Sequence, residues 1–213
     1  FCSVKTLKKP PLPDTTEPEN LATAVENMGL SHVVITVVNR DDLLDSGASH
    51  YRACIDAVHR RNPNTRIEIL CSDLAGDIEA LASLLNEAPL QVFAHNIECV
   101  ERISKQVRTQ SNWKRSLDVL SSSVKFGLLT KTGMMVGLGE TDQEVFKTMD
   151  QISEIGIKIF NIGQYLQPTK KHLPINRFVH PNQFKEYKEY GLSLGFKVVE
   201  SGPLVRSSYH ADE

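Results

Sequence analysis

Apolar runs of five to eight residues alternate along the chain with longer segments whose apolar residues recur at helical spacing. Residues 32–38 are nearly all apolar or β-branched, the pattern of a strand buried on both faces. Residues 66–70, 90–94, 157–162 and 196–200 repeat it more briefly. In residues 129–136 the β character is diluted by Gly133, Met134 and Met135. Between these runs lie helix patterns with their own punctuation. Thr16 and Glu19 make a capping box for a helix ending at Gly29, and residues 48–61 form a helix stopped by Asn62 and Pro63. Asp77 caps a helix to residue 85. Helices are also expected over 100–107, 112–126 and 181–194. Thr141 and Glu144 form a second capping box, for a helix ending at Gly156. Residues 3–16, rich in Lys, Pro and Thr, read as a loop.

A β-then-α alternation with helix-length crossovers implies parallel strands covered by helices, hence an α/β fold. About six strands are fewer than a closed eight-fold barrel needs. A doubly wound sheet and a partial barrel both fit. The 213 residues carry one core and read as a single domain, 1–213. A formal charge of −2 gives no case for nucleic acid or an anionic membrane as partner, and no apolar run reaches membrane-spanning length. Cys2, Cys54, Cys71 and Cys99 are scattered, without a Cys-x-x-Cys pair, as in a reduced intracellular protein.

The polar residues that interrupt this pattern collect just after the expected strands. They are Asn39 to Asp42, His95 to Glu98, Gly137 to Glu140, Gly163 to Pro168, and Arg206 to Tyr209. Parallel α/β folds gather their chemistry at the C-terminal strand ends, so the five clusters point to one polar site at a barrel mouth. Asn96 and Glu98 offer hydrogen bonds there. Gly137 and Gly139 permit close backbone approach, although they lack the full dinucleotide-binding fingerprint. Lys131 is expected near the mouth. Cys54, Cys71 and Cys99 read as packing residues, His95 as structural, and no zinc-type histidine spacing occurs.

The ending Arg206-Ser207-Ser208-Tyr209, the run Gln164-Tyr165-Leu166-Gln167-Pro168 and the opening Phe1-Cys2-Ser3-Val4-Lys5 together resemble the lipoyl synthases, radical S-adenosylmethionine (SAM) enzymes. The resemblance covers essentially the whole chain. It implies a partial (β/α)6 TIM-like barrel whose first strand and remaining cluster cysteines precede residue 1, so that the chain is an N-terminally truncated fragment, inactive alone. It implies two 4Fe–4S clusters. Cys2 would be the third cysteine of the Cys-x-x-x-Cys-x-x-Cys loop of the SAM-binding cluster, and Ser208 a ligand of an auxiliary cluster consumed as sulfur donor. Asn96 and Glu98 would contact the SAM ribose, Gly137 and Gly139 its adenine, with Lys131 beside the cofactor. The implied reaction inserts two sulfurs at carbons six and eight of a protein-bound octanoyl-lysine, beginning with hydrogen abstraction by a deoxyadenosyl radical. Octanoylated carriers (lipoyl domains of 2-oxoacid dehydrogenases, the glycine cleavage H protein) and an electron donor such as ferredoxin or flavodoxin would be partners. The compartment would be the bacterial cytoplasm, or else the mitochondrion. Asn39 stands where the family carries an Asp, and Cys71 and Ser72 where it carries Thr-Pro. Another radical SAM sulfurtransferase, such as biotin synthase, shares the barrel but not the serine-based ending. An inactive barrel serving as a binding scaffold is a third reading.

Overall fold

Each strand pairs in parallel with the next one in the chain, so the sheet order is β1-β2-β3-β4-β5-β6 without a reversal. The strands are β1 (His32–Thr36), β2 (Arg66–Leu70), β3 (Val92–Ala94), β4 (Leu129–Val136), β5 (Ile159–Gln164) and β6 (Val198–Gly202). A doubly wound sheet reverses its order at a switch point. The unbroken order therefore decides for the partial barrel. The computed structural model describes residues 4, 7–110, 112–209 and 211. The expected strand before residue 1 concerns sequence outside this chain.

The helices are α1 (Glu17–Met28), α2 (Ala48–Arg61), α3 (Ile78–Leu85), α4 (Ser104–Val107), α5 (Trp113–Lys125), α6 (Asp142–Ile155) and α7 (Pro181–Ser193). Most begin where their caps dictate. Asp77 accepts from the amides of Glu79 and Ala80, and the Thr141–Glu144 box closes in both directions. The Thr16 box does not form. Thr16 is already in helical geometry, and Asp14 instead accepts from its amide and hydroxyl, both at 2.8 Å. Residues 100–107 split into a 3-10 turn (Glu101–Ile103) and the single turn of α4. β1 is shorter than expected and only Ile35 is buried, because it has a partner on one side only. β5 and β6 start and end two residues later than their apolar runs. Gly163 and Gln164 are poor strand formers, yet pairing with Met135 and Val136 overrides local preference.

Strand alternation sorts the residues into two faces. On the outer face Ile67, Ile69 and Phe93 pack with α1, α2 and α3 in one apolar cluster, joined by Val119 of α5. Met134, Val136, Phe160, Ile162 and Val199 form a second cluster with α5, α6 and α7. The opposite parity takes the other face, where Glu68, Lys131, Gly133, Asn161 and Gly163 stand among apolar residues such as Val92, Leu129 and Met135. The barrel interior thus carries hydrogen-bonding groups and bare α-carbons that the outer clusters lack.

Candidate active site

A cavity of about 310 Å³ opens at the C-terminal ends of β3 to β6. Its walls come from the loop after β3 (Asn96, Glu98), the strand β4 (Gly133, Met134, Met135), β5 with its exit (Asn161 and 163–166) and the segment after β6 (Val205, Arg206, Ser207).

The loop after β3 is fixed from behind. His95 is buried, with Nδ1 2.9 Å from the Cys71 carbonyl and Nε2 3.0 Å from the Ser116 hydroxyl. A carbonyl can only accept, so Nδ1 carries the proton and Nε2 accepts from Ser116. Burial, with the nearby Arg108 charge, lowers the imidazole pKa to about 4, which keeps it neutral. Arg108 donates to Ser116 Oγ at 3.1 Å and to the carbonyls of Asn96 and Ile97 at 3.3 and 3.4 Å. Glu98 then takes a left-handed conformation, φ 69°, and joins the sheet for one residue. Its amide donates to the Gly133 carbonyl at 3.1 Å, and its own carbonyl accepts from Met135 at 2.8 Å. Burial raises the pKa of its carboxyl, against the opposing pull of Arg108.

Two amides hold the opposite wall. Asn96 Nδ2 donates to Ser207 Oγ at 2.8 Å. Asn161 Nδ2 donates to the carbonyls of Arg206 and Ser207 at 3.1 and 3.3 Å, which fixes the amide orientation. Asn161 Oδ1 is buried and accepts nothing among the described residues. Gly163 lets the last segment approach, since a Cβ there would sit 2.3 Å from the Val205 carbonyl oxygen. At Gly133 a Cβ would lie 3.2 Å from both Asn96 Oδ1 and the Asn161 carbonyl oxygen.

Of the residues singled out from sequence, Asn96 and Glu98 line this cavity. Lys131 does not reach the mouth. It is buried one layer deeper, with Nζ 3.0 Å from Glu68 Oε1, because its strand position faces the interior below Gly133. Gly137 and Gly139 lie outside the lining. Both have positive φ, 96° and 110°, and shape a turn in which the Glu140 carboxylate accepts from the amides of Gly137 (2.7 Å) and Leu138 (2.9 Å). Ser208 is exposed on a turn beyond the lining, while Ser207 faces the cavity. Cys2 lies outside the described residues. Three of the five polar clusters reach the cavity. Asn39 to Asp42 instead forms a turn, with Arg40 paired to Asp42 at 2.8 Å. Gln164 binds the Arg177 carbonyl and the Val179 amide, at 3.1 and 2.9 Å, and so orders residues 165–179. Sequence reasoning missed Asn161, whose signal was a strong turn former in the middle of a β-branched run.

The barrel matches the Radical SAM superfamily model over residues 1–152. Over its whole length the chain is 48% identical to the lipoyl synthase of Chlorobium phaeobacteroides, covering 74% of it. It belongs to the lipoyl synthase family. It is 49% identical to the chloroplastic lipoyl synthase 1 of Oryza sativa, of which it covers 58%, so the chain spans little more than half of that relative. Solved structures with the same fold include Streptococcus suis SuiB bound to its precursor peptide SuiA, with TM-score 0.67, 11% identity and coverage of 92% of this chain and 44% of that one. Methylornithine synthase (PylB) follows, with TM-score 0.63, 11% identity and coverage of 91% and 64%. Lipoyl synthases being radical SAM proteins, family membership implies SAM and iron–sulfur clusters as cofactors. No group of three His, Cys, Asp or Glu residues suited to a metal ion occurs among the described residues. Among the same residues, no helix is long and apolar enough to cross a membrane.

Proposed function

We propose that this chain is the barrel portion of a lipoyl synthase that converts a protein-bound octanoyl-lysine to the lipoyl group by inserting sulfur at carbons six and eight. The observation that carries the reading is that the run Arg206-Ser207-Ser208-Tyr209 is seated at the cavity through its first two residues, which Asn96 and Asn161 hold. The side chains of the cavity suit SAM. Asn161 Oδ1 is a buried acceptor in need of a donor, and Glu98 and Asn96 add polar atoms of the kind that bind ribose hydroxyls or an amino group. Gly133 leaves the room. When bound, SAM and its cluster supply the one-electron chemistry needed to break an unactivated C–H bond.

The protein's own contribution is placement. Glu98 and Asn96 orient a ligand from the β3 side, Asn161 from the β5 side. Met135 and Val205 limit water, and Leu166 adds an apolar edge suited to an alkyl chain. Cys2 would give one ligand to the SAM-binding 4Fe–4S cluster and Ser208 one to an auxiliary, sulfur-donating cluster. The other ligands would come from outside this chain. An alkoxide is a poor match for iron–sulfur clusters, which makes Ser208 the ligand most readily released. Octanoylated lipoyl domains and the glycine cleavage H protein are the proposed substrates, ferredoxin or flavodoxin the reductant, and the bacterial cytoplasm the compartment.

The full-length protein, reconstituted with iron and sulfide and given SAM, a reductant and an octanoylated lipoyl domain, is expected to yield deoxyadenosine and lipoyl product. Mass spectrometry of the carrier reads the second. Deoxyadenosine without any sulfur insertion would overturn the sulfurtransferase reading. With Ser208→Ala, lipoyl product is expected to collapse while deoxyadenosine continues. A lipoyl yield equal to that of the unmodified protein would remove Ser208 as a ligand.

A further inference from the structure

Residues 205–207 follow the last strand and cross back over the sheet to close the cavity, and what holds them there is unusually local. Two backbone carbonyls, those of Arg206 and Ser207, accept from the single Nδ2 of Asn161. The Val205 carbonyl lies on Gly163, two residues along the same strand and on the same face. Asn96 takes the Ser207 hydroxyl from across the cavity. Beyond this clasp the turn continues, with the Tyr209 amide donating to the Arg206 carbonyl at 3.0 Å. Ser208 itself makes no side-chain anchor among the described contacts and is exposed. Its position is therefore inherited from the residues just before it.

We infer that Asn161 and Gly163 form a latch that seats the segment 205–209, and that they are positioning residues for the Ser208 hydroxyl. This rests on the lipoyl synthase reading for what Ser208 does, but the latch itself rests on geometry. An amide at 161 supplies two donors to two carbonyls from one strand position, and no other residue of its size does so. A bare α-carbon at 163 admits a carbonyl to within contact distance, where any side chain would displace it.

Two variants of the full-length protein probe the latch from different sides. Asn161→Asp keeps the shape but replaces the donors with acceptors, so at pH 8 it should repel both carbonyls. Protonated, the same carboxyl regains one donor. Hydrogen exchange at the Val205 and Tyr209 amides, which donate to the Gly202 and Arg206 carbonyls, corrected for the intrinsic rate at each pH, is expected to show protection lowered roughly tenfold at pH 8 and partly restored near pH 4 to 5. Gly163→Ala should lose protection at all pH values, and the unmodified protein should show no such pH dependence. A merely structural role for Asn161 predicts no recovery at low pH confined to this segment. Lipoyl product at pH 8 is expected to fall at least tenfold in both variants. Unchanged protection in both variants would overturn the latch. Loss of protection with full lipoyl yield would overturn the positioning of Ser208. Failure of the unmodified protein to make lipoyl product would count against the enzyme reading alone, leaving the exchange measurement to decide the latch.

Discussion

Lys131 and Glu68 stand on β4 and β2 with β3 between them, and they close the barrel floor beneath the cavity. Their side chains are only 4% and 1% exposed. Burial raises the Glu68 pKa in spite of the lysine beside it, so desolvation outweighs the attraction on the carboxylate. A pair of this kind contributes little net stability but is costly to break. Lys131→Met alone is expected to cost about 3–5 kcal/mol, and Glu68→Leu with Lys131→Met together much less, as measured by urea unfolding. A double variant as unstable as the sum of the singles would show that Lys131 and Glu68 do not act as a coupled pair. His95 gives a pH prediction. Its pKa is lowered to about 4 from 6.5 in the folded chain. Above pH 6.5 neither state is protonated and there is no effect. As pH falls from 6.5 toward 4 the unfolded chain binds a proton that the folded one refuses, so stability drops by up to about 3 kcal/mol and then levels off. His95→Gln should flatten that part of the stability profile. At this scale the sequence was only partly legible. The polarity of Asn96 and Glu98 marked the mouth, but an Asn161 inside a strand and the choice of Ser207 over Ser208 as the cavity-facing hydroxyl depend on which face a residue takes, and that parity is set by pairing.

Elements were read well wherever local chemistry sets their ends. Asp77, the Thr141–Glu144 box, Asn62 and Gly156 each bound a helix as their side chains or φ preferences require. Elements bounded by tertiary pairing were misplaced, as with the two-residue shifts of β5 and β6. Thr141→Ala should cost about 1 kcal/mol, through the loss of one cap at the start of α6. Gly137 carries more. It combines a φ of 96° with the Gln164 side chain and the Arg177 carbonyl oxygen packed where a Cβ would go. Gly137→Ala is thus expected to cost about 2–4 kcal/mol, from left-handed strain plus overpacking. It should also loosen residues 165–179, because Gln164 could no longer hold both the Arg177 carbonyl and the Val179 amide. Proteolysis confined to that loop in Gly137→Ala, and absent in Thr141→Ala, is the distinguishing measurement. Equal susceptibility in both would mean that the loop has another anchor.

Across the whole molecule the outer face is packed under helices, while the inner face carries buried polar groups such as Glu68, Lys131 and Asn161. Cys54, Cys71 and Cys99 are all buried in the described structure, and burial pushes their thiols up to about 11, 12 and 12. They should resist maleimide in the folded protein and react only on unfolding, read by mass spectrometry. Labelling of any one in the native state would expose an opening motion of its helix layer. The alternation of apolar runs and helix patterns made the α/β class plain, but it left doubly wound and barrel arrangements level, because strand order is a long-range property. That order has a consequence for synthesis. Each strand finds its partner in the residues just made, and every buried member of the first apolar cluster, Val119 of α5 included, is synthesised before β4. The last wall of the cavity follows the last strand. A chain interrupted between residues 202 and 205 would therefore fold its sheet and both cores, pass any screen for solubility or abundance, and still present an unfinished cavity.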